Sequence, residues 1–155
     1  DMIPGRTNTF TIQADEAGAF RGLCAEFCGI QHARMLFLVI AKEPADFDRW
    51  LVQQQQPTLT LNDPSTQQGA TFFLEAPCAQ CHAIAGTVAD GRLGPDLTHF
   101  AGRREIGAGT LPNTRENLAE WLQNPQAHKT GNLMPATTFS PQELEALLDY
   151  LMALK

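Results

Sequence analysis

Apolar and polar positions alternate over TFTIQA (9–14), which puts Phe10, Ile12 and Ala14 on one side. A period of two predicts a half-buried strand. A turn at DEAG (15–18) leads into a second expected strand, AFRGLCA (19–25). The continuous apolar run MLFLVIA (35–41) has strand length and predicts a strand buried on both faces. The period then changes. In PADFDRWLVQQ (44–54), Phe47, Trp50 and Leu51 share one helical face, Pro44 suits the first helical position, and Asp46 and Asp48 suit the first turn.

Beyond residue 63 the pattern is helical. Ser65, with Gln68 three positions on, reads as a capping box leading into Phe72, Phe73 and Leu74, and Pro77 ends the run. Thr114 caps RENLAEWLQN, where Leu118, Trp121 and Leu122 form one stripe and Pro125 lies past the end. SPQELEALLDYLMALK (140–155) has Ser140 as cap, Pro141 at the first position and Glu143 at the third, with Leu144, Leu147, Leu148 and Leu151 as its core stripe. No internal repeat is evident.

Between these parts lies QQQQPTLTLNDPSTQQ (53–68), a polar, proline-containing stretch suited to a linker. The expected division is a β part over 1–55, a linker over 56–66 and a helical domain over 67–155. Three strands and one helix cannot close a β-sandwich, which needs about seven strands. The fold class expected is therefore mixed: the C-terminal fragment of a β-sandwich followed by an all-α domain.

Length and composition are those of an ordinary soluble chain. The formal net charge of −6 argues against a nucleic-acid partner, which requires a basic face. It is compatible with a basic protein partner. No apolar run approaches the roughly 20 residues of a membrane-spanning helix, and no secretory signal is visible. The expectation is that any membrane anchor belongs to helices upstream of this chain.

The four cysteines form two close pairs, Cys24/Cys28 and Cys78/Cys81, each near a histidine, which favours metal or cofactor chemistry over a disulfide framework. CAQCH (78–82) is the C-x-x-C-H pattern of covalent c-type haem attachment. The short spacing holds two thiols at the separation of neighbouring haem vinyl groups and sets His82 under the iron. A redox-active C-x-x-C or half a zinc site is the alternative, but each wants a context absent here. GPDL (94–97) places the Pro95 carbonyl to accept the other imidazole N–H. NLMP (132–135) offers Met134 as sixth ligand; Met2, Met35 and Met152 are poorer candidates. A His/Met pair leaves no open coordination position, which means electron transfer and not oxygen chemistry. His99 and His128 are read as surface residues.

CAEFCGIQHARM (24–35) gathers Cys24, Cys28, His32 and Met35 within twelve residues. Soft sulfur with imidazole suits copper, with a disulfide, a zinc site or a mononuclear copper as alternatives.

At these residues two resemblances become plain. Residues 65–155 resemble a class I cytochrome c, and FAGRREIGAGTLPNTRENLAEWLQNPQAHKTGNLMP resembles the cytochrome domain fused to subunit II of some bacterial (caa-type) cytochrome c oxidases. By that resemblance Arg103 and Trp121 are candidates to hydrogen-bond haem propionates, against the plainer readings of a solvated charge and a core indole. The pattern C-x-E-x-C-x-x-x-H-x-x-M, with DMIPG at the start, resembles the binuclear CuA loop of the same subunit, on a cupredoxin-like domain. The resemblance implies Cys24 and Cys28 as bridging thiolates, His32 as ligand of one copper, and the Glu26 carbonyl and Met35 sulfur as weak axial ligands. That family takes a second histidine from an upstream strand, and residues 1–23 hold none. The copper site is thus expected to be incomplete in a chain truncated at its N-terminus.

The function implied is electron transfer, with no catalytic residue and no oxygen-reducing site in this chain. Electrons would pass from an external cytochrome c or similar small donor through haem c to CuA, and on to subunit I of a terminal respiratory oxidase. The location implied is the extracytoplasmic (periplasmic) face of a bacterial membrane. Alternatives are a CuA–haem c module of a nitrous oxide or nitric oxide reductase, or a free-standing soluble cytochrome carrier.

Overall fold

Strand formation begins at Gly18 in the computed structural model, which describes residues 3, 5–56 and 63–155. Strand β1 (Gly18–Leu23) pairs antiparallel with β2 (Leu36–Ala41), in register from Gly18 opposite Ala41 to Leu23 opposite Leu36. Residues 9–14 form no strand, and Phe10 and Ile12 are 82% and 63% exposed. An alternating segment is held as a strand by a paired neighbour and a covering layer; among the described residues the β1–β2 sheet stays two-stranded, and residues 9–14 join neither of its edges. The small sheet alters β2 as well: Leu36, Leu38 and Val39 are half-buried, but Phe37 and Ile40 are exposed, so the run is not buried on both faces. A cupredoxin sandwich is therefore not seen among the described residues; the class is mixed, with small sheets and several helices.

Helix α1 (Pro44–Gln54) has the expected limits, with Pro44 at its first position. Its apolar side remains open, Phe47, Trp50 and Leu51 each being about two-fifths exposed. Part of the expected linker, residues 57–62, lies outside the described residues.

Helix α2 (Pro64–Glu75) starts earlier than a capping box at Ser65 allows. Asp63 is the cap, its carboxylate accepting the Thr66 N–H at 3.1 Å, because Pro64 at the first position needs the cap directly before it. Ser65, not needed as a cap, instead donates its hydroxyl to Asp149 at 2.5 Å. A short helix α3 (Cys78–Cys81) follows. Then comes a loop region with a two-stranded ladder, β3 (Glu105–Ile106) with β4 (Leu111–Pro112). Helix α4 (Arg115–Gln123) is capped by Thr114, α5 (Pro125–His128) by Asn124, and α6 (Pro141–Ala153) by a complete Ser140/Glu143 capping box.

Every buried apolar side chain among the described residues lies between Phe73 and Leu154. Helices α2 and α6 cross with no room at Gly69, where a Cβ would lie against the Ala146 carbonyl and 2.7 Å from Tyr150 Cβ. Phe73 meets Tyr150 edge-on beside that crossing, with ring centroids 5.8 Å apart. Leu118 and Leu122 of α4 and Leu147, Leu148 and Leu151 of α6 join the same core, which Ile84, Leu97, Phe100, Ile106 and Leu154 from outside these helices complete. Each such side chain contributes about 1.5–3 kcal/mol by leaving water, so this region has a core of its own.

Candidate redox sites

The thiols of Cys78 and Cys81 stand on α3, one helical turn wide, and both are free. Burial pushes the Cys78 thiol above its ordinary pKa. The chain leaves the helix at His82, whose Nδ1 lies 2.8 Å from the Pro95 carbonyl oxygen. That oxygen can only accept, so Nδ1 carries the proton and Nε2 keeps its lone pair for a metal. Gly94 makes the approach possible: a Cβ there would lie 2.6 Å from His82 Nδ1. The Gly94 N–H also donates to the Cys81 carbonyl at 2.7 Å, which ties the proline loop to the cysteine helix.

Met134 is half-buried and packs against the same core as Cys78 and Trp121. Its loop is built by two residues that sequence reasoning misses. The Asn132 side chain accepts the Met134 N–H at 2.8 Å and donates to the Lys129 carbonyl at 2.6 Å. Gln126 donates to the Asn132 carbonyl and accepts the Gly131 N–H, both at 2.8 Å. The one available signal for Asn132 is its type, since Asn readily bonds backbone two residues on. Arg103 donates to the Asp96 carbonyl and lies over the Phe100 ring at 5.8 Å. Trp121 is half-buried beneath Gly107. His99, read as a surface residue, is half-buried and bridges two segments: Nδ1 is 2.9 Å from Lys155 O and Nε2 is 3.0 Å from Gln54 O. His128, read the same way, is also half-buried, with Nε2 3.3 Å from Glu120.

The second cluster sits on the connection between β1 and β2. Ligand atoms of Cys24, Cys28 and His32 all lie within 4.8 Å of one another. Cys24 Sγ is 3.4 Å from Cys28 Sγ and 3.1 Å from the Glu26 carbonyl oxygen, while Met35 Sδ lies 3.9 Å from Cys28 Sγ. The backbone closes the loop: Cys24 N–H bonds Met35 O at 3.2 Å, and a 3-10 turn (His32–Arg34) presents the imidazole. The Cys28 thiol is held above its ordinary pKa, first by its hydrogen bond with Cys24. His32 Nδ1 is buried without a hydrogen-bond partner. A buried imidazole nitrogen left unpaired carries a desolvation cost that a metal bond would remove. The donor set therefore fits a soft metal such as copper. The chemistry of the first cluster fits haem: two reduced thiols one turn apart and a histidine with its outer nitrogen fixed.

Comparison with known proteins agrees with both readings at the level of family. The family described as cytochrome c matches residues 66–155. The family described as cytochrome c oxidase subunit II, periplasmic domain, matches residues 1–42. Cytochrome c oxidase subunit 2 of Alkalihalophilus pseudofirmus is 44% identical over 160 residues, covering all of this chain and 45% of that protein. The proteins of the same name from Bacillus sp. PS3 and Bacillus subtilis are 38% and 34% identical, covering 89% and 92% of this chain and 40% and 42% of their own lengths. The chain thus spans less than half the length of these curated relatives. No helix among the described residues is long and apolar enough to cross a membrane. Over most of its length the chain belongs to the cytochrome c family, and the segment that precedes this region carries the match to the periplasmic domain of cytochrome c oxidase subunit II.

Proposed function

We propose that this chain is the electron-relay part of subunit II of a bacterial cytochrome c oxidase, outside the cytoplasm. It takes electrons from a small donor such as a cytochrome c and delivers them toward subunit I, where oxygen is reduced. The observation that carries this reading is the gathering of Cys24, Cys28 and His32 within 4.8 Å in a chain that also presents the C-x-x-C-H helix. A diffusible cytochrome carrier has no use for the Cys24/Cys28/His32 cluster.

When bound, haem and copper supply one-electron redox chemistry at these two places. Cys78 and Cys81 would tether the haem, and His82 and Met134 would hold its iron. The Pro95 carbonyl keeps the His82 proton on Nδ1 and makes the imidazole a stronger ligand. Cys24, Cys28, His32, Met35 and the Glu26 carbonyl would be this chain's share of the ligands to the copper pair. The short loop between paired strands keeps these donors in place before metal arrives, which lowers the reorganisation that accompanies electron transfer. Arg103 and Trp121 remain candidates for the propionates.

The test is copper stoichiometry with electron paramagnetic resonance on the full-length protein that contains this chain. Two coppers per chain sharing one unpaired electron, lost together in Cys28→Ser, is the expected result. One loosely held copper, or none, overturns the relay and leaves the carrier.

A further inference from the structure

Residues 128–131 lead from α5 into the Asn132-built loop that carries Met134, and the copper-ligand loop lies on that stretch. Gln31 Nε2 donates to the Thr130 carbonyl at 2.6 Å, and Arg34 Nη1 donates to the His128 carbonyl at 2.8 Å. Gly131 has a positive φ of 83°, and a Cβ there would press on Ile30 Cγ2 at 3.0 Å. A second set of contacts lies alongside. Leu36 N–H donates to Ala108 O at 3.0 Å, Arg21 pairs with Glu105, and Gly109 sits so close that its Cβ would be 2.6 Å from Leu36 Cβ. Lys129 joins the two sets: it is 8% exposed, and its ammonium donates to Gly107 O at 2.8 Å.

These contacts touch ligands on both sides. Gln31 precedes His32 in the chain and Arg34 precedes Met35, while Thr130 lies four residues before Met134. Both side-chain bonds run one way, from the copper loop to backbone carbonyls at and just after the end of α5, which the helix itself leaves unpaired. We propose that the 128–131 stretch and the 107–109 turn form an intramolecular docking surface for the copper loop, on which Gln31 and Arg34 are positioning residues that set the separation between the two redox sites. This rests on the relay reading above. With both groups bound, the transfer it serves would carry one electron from the group held by His82 and Met134 to the one held by Cys24, Cys28 and His32, oxidising the first and reducing the second by one, with no bond made or broken and no proton exchanged.

The test uses the full-length protein loaded with both cofactors, comparing wild type, Gln31→Ala/Arg34→Ala and Arg34→Lys. Two readouts are taken: amide hydrogen exchange over 105–112 and 126–134, and haem-to-copper transfer after flash reduction of the haem. Midpoint potentials and the copper resonance spectrum are recorded on each. In the double variant the ratio of docked to undocked molecules should fall roughly tenfold or more, since two hydrogen bonds, one from a charged donor, are lost. Exchange should quicken in both segments and transfer should slow, at unchanged potentials, while Arg34→Lys, which keeps a cationic donor, should recover most of both. Unchanged exchange and transfer in the double variant overturn the proposal. A slowed rate with an altered copper spectrum also overturns it, because the residues would then shape the copper site itself. Absence of transfer in the wild type defeats the relay reading, and the docking role with it.

Discussion

At the scale of single residues, the histidine that would hold the haem iron depends on a glycine. The His82 ring reaches the Pro95 carbonyl because nothing projects from Gly94. Gly94→Ala should push the ring off that carbonyl and cost about 1–3 kcal/mol, as overpacking does. An imidazole that loses its N–H acceptor is a weaker electron donor to a metal. The haem midpoint potential should therefore rise, and redox titration of the haem-loaded variant checks it; an unchanged potential would mean that the loop yields and the ring stays. Residues of this kind are legible from sequence only in part. CAQCH, GPDL and NLMP stand out by type and spacing, as do the donors of residues 24–35. Gly94 stands inside GPDL without a signal of its own, because closeness to a ring is a three-dimensional fact. Asn132 and Gln126 escape notice for the same cause, since their partners are backbone groups that leave no mark in the sequence.

At the scale of elements, the crossing of α2 and α6 sets two tendencies against each other. Alanine is favoured over glycine inside a helix by about 1 kcal/mol. At Gly69 that gain meets a crossing where a Cβ would strike the Ala146 carbonyl and Tyr150. Separating the helices would open the Phe73–Tyr150 contact and expose core leucines, so packing wins. Gly69→Ala should destabilise the domain by about 1–3 kcal/mol despite its better helix propensity, read as a lower midpoint in thermal unfolding; a raised midpoint would show that the crossing has slack. Helices α1, α4 and α6 are readable almost to the residue because each opens with local chemistry, a cap or a proline, that does not depend on its neighbours. The strands depend on partners. TFTIQA carries a strand pattern and forms none, since pairing is a property of two segments. The cap of α2 lies two residues before the expected Ser65 because Pro64 takes the first helical position and Asp63 caps it, which leaves Ser65 to reach Asp149 across the helix crossing.

At the scale of the whole molecule, seventeen acidic side chains against eleven basic ones give the formal charge of −6. A field of that sign speeds encounter with basic partners and is screened within about 8 Å at physiological salt. Reduction of the haem-loaded protein by a basic redox protein should slow as ionic strength rises, and stopped-flow mixing over a salt series measures it. A rate that is flat or increases with salt would place the entry face away from the acidic surface. The fold class is legible as mixed, and the cytochrome family can be named from its motifs. The contact between the two parts cannot be read, because a polar linker of that composition is compatible with many arrangements and the acceptors on one side are main-chain carbonyls.

Those carbonyls have a further consequence. Every amino acid carries one, so replacing His128 or Thr130 leaves the oxygen that Arg34 or Gln31 reaches. The donors have no such insurance, because shortening either side chain removes the bond. The two halves of the contact are thus open to mutation on unequal terms. This contact places no demand on the side chains at 128 and 130, which answer only to their own partners, Glu120 and the Gln126 carbonyl, while it holds positions 31 and 34 to residues that can extend and donate.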